Sequence, residues 1–433
     1  MNRPTVCIVF GETVCSYTSS TGGVIDRFSY SWPFLLEQRL NQRGRPAIVR
    51  NSLLSREPIR QAAERLERDC LDLRPDVVLL HFGQTDALLT DAETPVTPLN
   101  RFRRDLEGII TRIRRSGARP VLLTPPPLTV SFPEYMMRAA YQYGANGSLA
   151  RYAQAIRAIA VRRKIPLLDL FALFPQQPLW EEMLFSGCCP NRAGSRFAAE
   201  KLARFLPPVL KQRTAGARPE KLITIVAHGD SVTNSLGAPG VTSHAFTWRR
   251  ILEQRLRKAG YPVYVRNSGI PCDRTVNAAA RFHADVLARK PDFVLICFGL
   301  NDAWITNAQK PVIAARLYRE KLGEMVRLAK AKGVVPILVA PNPMTWLYYT
   351  NYFQRPVYKQ RGVNCRVAEL VYEMERVAQA ERVGFINLFQ IFQDHPQWRA
   401  GRNPLVADGL HPSPAGNRLW AGVLADYLQK KMS

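Results

Sequence analysis

The chain has 433 residues, 46% hydrophobic and 22% charged, a composition that suits a globular protein of two domains, each able to bury its own core. No apolar run approaches the roughly 18 residues a membrane span needs, and the N-terminal run is too short for a signal-peptide core, so a cytoplasmic protein is expected. The net charge of +25, divided as +11 over residues 1–216 and +14 over 217–433, comes without a zinc finger, RNA-recognition signature or long basic run; nucleic acid is therefore not the expected partner, whereas an acidic carrier protein or an anionic substrate is compatible with it.

In chain order, "CIVFGETV" (7–14) reads as a first buried strand, and "VRNS" (49–52), "PDVVLLHFG" (75–83), "PVLLTPPP" (120–127) and "IPLLDLFALF" (165–174) carry the next apolar runs. "KQRTAGARPEK" (211–221) is a polar linker, after which the pattern starts again. "PDVVLLHFGQTDALLT" (75–90) matches "PDFVLICFGLNDAWIT" (291–306) at an offset of 216, and "VRNS" recurs at the same offset; "CIVFGETV" pairs with "IVAHGDSV" (225–232), and "IPLLDLFALF" with "VGFINLFQIF" (383–392), at 218. The chain is a tandem duplication, with domains expected at 1–214 and 215–433. In the second copy "LITIVAHG", "PVYVRNSG", "DFVLICFG", "VPILVAPN" and "GFINLF" read as strands. They alternate with helices such as "SHAFTWRRILEQRLRKAG" and "ARLYREKLGEMVRLAKAKG". Continuous apolar strands alternating with helices predict an α/β fold with a parallel sheet covered on both faces, whose chemistry lies at the carboxyl ends of the strands.

The polar residues of the second copy fall at those ends. Ser231 follows Gly229-Asp230 at a strand-to-helix turn; Asn267-Ser268-Gly269 ends the second strand and Gly299-Leu300-Asn301-Asp302 follows the third; "DGLHPSPAGN" places Asp408 three residues before His411. The set supplies a serine nucleophile, a histidine to take its proton and an aspartate to orient the imidazole. The N–H groups of Ser231 and Gly269 and the amide of Asn301 are candidate donors to a developing oxyanion. Asp302 reads as the cap of the following helix, with Asp86 at its equivalent place. His228 is either a substrate contact or a satisfied strand-end histidine. Trp304, and Trp346, Tyr348 and Tyr349 in the aromatic, basic stretch 344–362, are candidates to line the substrate; packing of that stretch on the sheet edge is the alternative. No CxxC pair or Cys/His cluster has metal-ligand spacing, so neither metal nor cofactor is expected.

"GDS" 229–231, "NSG" 267–269, "GLND" 299–302 and "DGLH" 408–411, four blocks in this order, resemble the SGNH (GDSL-type) hydrolase family. The resemblance implies two tandem flavodoxin-like three-layer α/β/α sandwiches and an esterase or deacylase acting on a small-molecule ester or acyl substrate through an acyl-enzyme. It implies Ser231 as nucleophile, Asp408 and His411 as its partners, and Ser231, Gly269 and Asn301 as the oxyanion hole. Two positions depart from the family pattern: Val232 follows the GDS, and "GIPCDRT" lacks a second glycine.

The first copy has lost these residues. Thr13 stands for Ser231, Leu53 for Gly269, Thr85 for Asn301, Ser186 for Asp408 and Cys189 for His411. A pseudo-hydrolase domain is the simplest reading; a second site built on the Cys189 thiol, for which His81 is only a remote base, is the alternative. For the whole chain, an acyltransferase using the same triad with a carrier-protein or CoA donor, and a non-enzymatic module binding an anionic partner, stand beside the esterase.

Overall fold

The computed structural model describes residues 4–13, 31–90, 94–132, 145–210, 222–236, 238–306, 310–347, 356–398 and 403–432. It divides into two compact units, Met1–Pro219 and Glu220–Ser433. The linker stretch 211–221 lies outside the described residues.

The first unit is built on β1 (Thr5–Thr13), β2 (Ala47–Ser55), β3 (Val77–His81), β4 (Arg119–Thr124) and β5 (Leu167–Asp169), which hydrogen-bond in the order β2-β1-β3-β4-β5. The second repeats the order with β6 (Ile223–Gly229), β7 (Val263–Gly269), β8 (Phe293–Cys297), β9 (Val335–Ala340) and β10 (Gly384–Asn387), arranged β7-β6-β8-β9-β10. All pairings in both sheets are parallel. This is the flavodoxin-like order, and it reverses direction beside the first strand of each unit, where such folds open a crevice.

The central strands bury both faces, as their unbroken apolar runs require. In the first unit Ile8, Phe10, Val78, Leu80 and Leu122 enter one core. Their neighbours Cys7, Val9, Val77, Leu79, Val121 and Leu123 enter another on the opposite face. The helices supply single apolar stripes. Helix Leu99–Arg115 buries Phe102, Leu106, Ile109, Ile110 and Ile113, the 3–4-residue spacing of one helical face. In the second unit Trp248–Lys258 packs on Pro414–Met432, with the Trp248 and Trp420 rings 5.2 Å apart, and Ala315–Ala331 packs on Cys365–Glu381. The long helix expected over "SHAFTWRRILEQRLRKAG" is divided: Thr247 is extended and caps Trp248–Lys258 through its side chain, leaving His244–Phe246 as one 3-10 turn.

Candidate active site

The two units differ most at the end of their first strands. In the second, β6 stops at Gly229, paired with Gly269, and Asp230 turns the chain into the short helix Ser231–Asn234. Asp230 Oδ1 accepts the Val232 N–H at 2.9 Å and so caps that turn. The turn is held from beneath: Trp248 Nε1 donates to the Val232 carbonyl at 3.0 Å, and the buried Arg249 donates to the Thr233 and Asn234 carbonyls, each at 2.6 Å. Gly269 is required by close approach, because a Cβ there would lie 2.5 Å from Asn234 N and 2.7 Å from the Asp230 carbonyl.

The loop before helix Pro414–Met432 brings the other two residues. Asp408 Oδ1 accepts the N–H groups of Leu410 at 2.9 Å and His411 at 2.7 Å, while Oδ2 lies 2.7 Å from His411 Nδ1. With Nδ1–H donating to Asp408, Nε2 is free to accept the Ser231 hydroxyl, 3.0 Å away. Burial raises the Asp408 carboxyl, but the bonds it accepts from the imidazole and the two backbone N–H groups outweigh it and hold the group below the ordinary aspartate range. Asp230, deeper in the fold, behaves oppositely. Its burial pushes it up to about 7, against the Val232 bond and the pull of His411, with Asp302 and Asp273 pushing the same way as burial.

Asn301 is buried beside this pair, donating through Nδ2 to the Asp273 carbonyl at 3.0 Å and, more weakly, to Asp230 Oδ2 at 3.4 Å. Gly269 departs from expectation. Its N–H is engaged within its own strand end by Asn267 Oδ1 at 2.9 Å, and the missing Cβ serves close packing on the nucleophile turn. The loop that follows is tied at two points, Ile270 N–H to the Gly229 carbonyl and Asp273 O to Asn301, each at 3.0 Å. Between them Cys272, exposed, adopts φ +63°. This is the left-handed conformation that glycine favours, within the stretch that lacks a second glycine.

His228 does not line the site. It is a fully buried residue of β6, with Nδ1 3.0 Å from Ser268 Oγ and Nε2 3.2 Å from the Ala278 carbonyl, and burial next to Arg281 drives its pKa well down. Trp304 is half-buried and Trp346 exposed; Tyr348 and Tyr349 lie outside the described residues. Asp302 caps a different helix from the one expected. Its Oδ1 accepts the N–H of Thr275 at 3.0 Å, opening Thr275–Asp285, and Asp86 does the same for Ile59. Sequence reading also missed Arg281. This buried arginine donates to Asp273 at 2.7 Å, Asp285 at 2.8 Å and the Gly229 carbonyl at 3.0 Å. Arg65 repeats the cage with Glu57 at 2.7 Å, Asp69 at 3.3 Å and the Gly11 carbonyl at 3.1 Å. The signal was present, an arginine at the repeat offset with acids eight residues before and four after it in both copies.

In the first unit β1 does not stop. It runs on through Glu12 and Thr13, paired with Leu54 and Ser55, so position 13 is a residue of the sheet and not of a turn. Glu12, in the place of Asp230, is buried and accepts the Thr85 N–H at 2.8 Å and the Thr85 hydroxyl. Cys189 is disulfide-bonded, with its Sγ 3.3 Å from that of Cys188. A thiol nucleophile at Cys189 is therefore not supported.

Among curated proteins, the chain is 27% identical to the uncharacterized lipoprotein YqeF of Bacillus subtilis over 48% of this chain and 86% of that protein. It is 27% identical to an arylesterase of Vibrio mimicus over 49% and 90%. It is 31% identical to esterase TesA of Pseudomonas aeruginosa over 27% and 53%. A lipase/acylhydrolase of Enterococcus faecalis aligns as a structure with a TM-score of 0.39 and 26% identity, over 48% of this chain and 96% of that one. The GDSL-like lipase/acylhydrolase family matches residues 16–197 and again 227–419, and the chain belongs to that family.

Proposed function

We propose that the chain is an ester hydrolase whose chemistry resides in residues 220–433, with Ser231 as nucleophile, His411 as base and Asp408 as its orienter. The observation that carries this reading is the unbroken contact from Ser231 Oγ to His411 Nε2 at 3.0 Å and from His411 Nδ1 to Asp408 Oδ2 at 2.7 Å. Ser231 attacks the ester carbonyl as His411 takes its proton. Asp408, held ionised by the bonds it accepts, stabilises the imidazolium and fixes its tautomer. His411 then protonates the leaving alcohol, and water repeats the sequence on the acyl-enzyme. The Ser231 N–H and the Asn301 amide, the latter giving up its weak 3.4 Å contact with Asp230, are the first two donors to the developing oxyanion. With Gly269 engaged, the left-handed Cys272, bracketed by Gly229 and Asn301, contributes its N–H as the third donor.

The first unit is read as non-catalytic because strand pairing occupies the place of the nucleophile turn. The test is a fluorophosphonate probe on the whole chain, followed by peptide mapping, with hydrolysis of short p-nitrophenyl esters measured in parallel. One labelled residue, Ser231, is expected, and Ser231→Ala abolishes labelling and lowers kcat by at least about 10³-fold. Unchanged turnover in Ser231→Ala sinks the reading, and labelling inside residues 1–219 removes the non-catalytic assignment.

A further inference from the structure

Both carbonyls that precede His411 are held by the loop after β9. The Thr345 N–H donates to the Gly409 carbonyl at 2.9 Å, and Asn342 Nδ2 donates to the Leu410 carbonyl at 2.9 Å. Asn342 also reaches the Pro343 carbonyl at 3.1 Å, while its own Oδ1 is buried without a partner among the described residues. The side chain is fully buried, so this is a half-satisfied amide in a closed interior. The unpaired oxygen costs stability and the two bonds donated by Nδ2 offset it, so what distinguishes this side chain is which carbonyls it holds.

The first unit shows which parts of this strap belong to the fold. There Thr129 N–H donates to the Gly187 carbonyl at 2.8 Å, matching Thr345 and Gly409. Asn146 clamps Leu128 through both backbone groups, as Asn364 clamps Met344. The flanking prolines persist as Pro125 and Pro127 against Pro341 and Pro343. Of these bonds, the one donated by Asn342 is the one that changes, because Pro126 stands in its place in the copy that has also lost the Asp/His pair. There the carbonyl of Cys188, equivalent to that of Leu410, is taken by Gln84 Nε2 at 3.1 Å, from the end of β3. The position equivalent to Gln84 in the second unit is Leu300, which cannot donate.

We propose that Asn342 is a positioning residue for the acid–base loop, fixing the Leu410 carbonyl so that His411 Nε2 sits in reach of Ser231; this rests on the triad reading above. Asp408 ties the N–H groups of Leu410 and His411 from one side, and Asn342 ties the intervening carbonyl from the other. Without the second tie the Leu410 peptide can rotate and carry the imidazole with it.

The test compares Asn342→Leu with the parent in the full chain, reading kcat, KM and thermal unfolding together, with Ser231→Ala alongside. We expect kcat to fall about 10–100-fold, the scale of a displacement of about 1 Å in a catalytic group, and KM to stay within about threefold. Asn342→Leu leaves the Leu410 carbonyl without this donor, so the unfolding temperature is expected to fall by a few degrees while the chain stays folded at the assay temperature. Adding Leu300→Gln, the donor used by the first unit, is expected to restore kcat about threefold or more. A merely structural asparagine predicts full kcat in the Asn342→Leu chain at temperatures well below its unfolding, or no recovery of kcat on adding Leu300→Gln, and either result overturns the proposal. Should the leucine variant not fold, Asn342→Ser is read by the same criteria, and two variants that both fail to fold also count as the structural outcome. If Ser231→Ala retains turnover, the fault lies in the triad reading and not in the role of Asn342.

Discussion

Cys272 holds its backbone at φ +63°, a conformation that its Cβ makes costly by about 1–2 kcal/mol. That strain is tolerated in the loop tied to both the nucleophile turn and Asn301, where the proposal makes the Cys272 N–H an oxyanion donor. Cys272→Gly relieves the strain without moving the N–H and is expected to match or exceed the parent kcat. Cys272→Val, β-branched and poorly suited to positive φ, is expected to lose at least about tenfold in kcat. Steady-state ester hydrolysis by the two variants checks this, and a valine variant with full kcat counts against Cys272 as a donor. The serine, histidine and aspartate were legible because a short motif names each of them. Gly269 was not: its N–H is engaged by Asn267, two residues away, and nothing in "NSG" says which way that peptide faces. Asp302 was misread for a related reason, since a carboxylate caps whichever helix start lies near it in space, and Thr275 is 27 residues away.

At the scale of elements, the repeat offsets made the strands and their order readable, but not where a strand ends. "GETV" and "GDSV" look alike, yet the first continues as a nine-residue strand and the second breaks into a helix. The continuation buries Glu12 completely in the sheet. Burial pushes its carboxyl up to about 8, with Asp86 adding to the rise and the bonds from Thr85 opposing it. A carboxyl whose pKa is higher folded than unfolded contributes its full stability below the ordinary glutamate range and loses it as pH climbs through about 8. The first unit is therefore expected to lose stability, on the order of a few kcal/mol, between about pH 5 and pH 9. Glu12→Gln, neutral throughout and able to keep both contacts to Thr85, is expected to flatten that dependence. Thermal unfolding of parent and variant at both pH values decides it: a difference that does not grow with pH removes the assignment to Glu12.

For the molecule as a whole, duplication followed by divergence has left two sheets of the same order with unequal sites. The Arg65 and Arg281 cages persist in both units, so they serve the fold beneath the first strand rather than the chemistry above it. The disulfide at Cys189 is the kind of bond that reducing compartments remove, and the expectation of a cytoplasmic protein finds no support in it. No described helix is long and apolar enough to cross a membrane. The apolar core of the second unit closes between Ile225 and Leu428, and Ser231, Asn301, Asp408 and His411 all lie within that span. Residues 220–433 expressed alone are therefore expected to fold and to keep kcat/KM within about threefold of the whole chain, a barrier change of about 0.7 kcal/mol. Circular dichroism and ester hydrolysis on the shortened chain make the comparison. A folded fragment with a much lower kcat and an unchanged KM means the first unit acts on the chemical step. A fragment that hydrolyses normally leaves the first unit a role in stability or recognition outside the reaction.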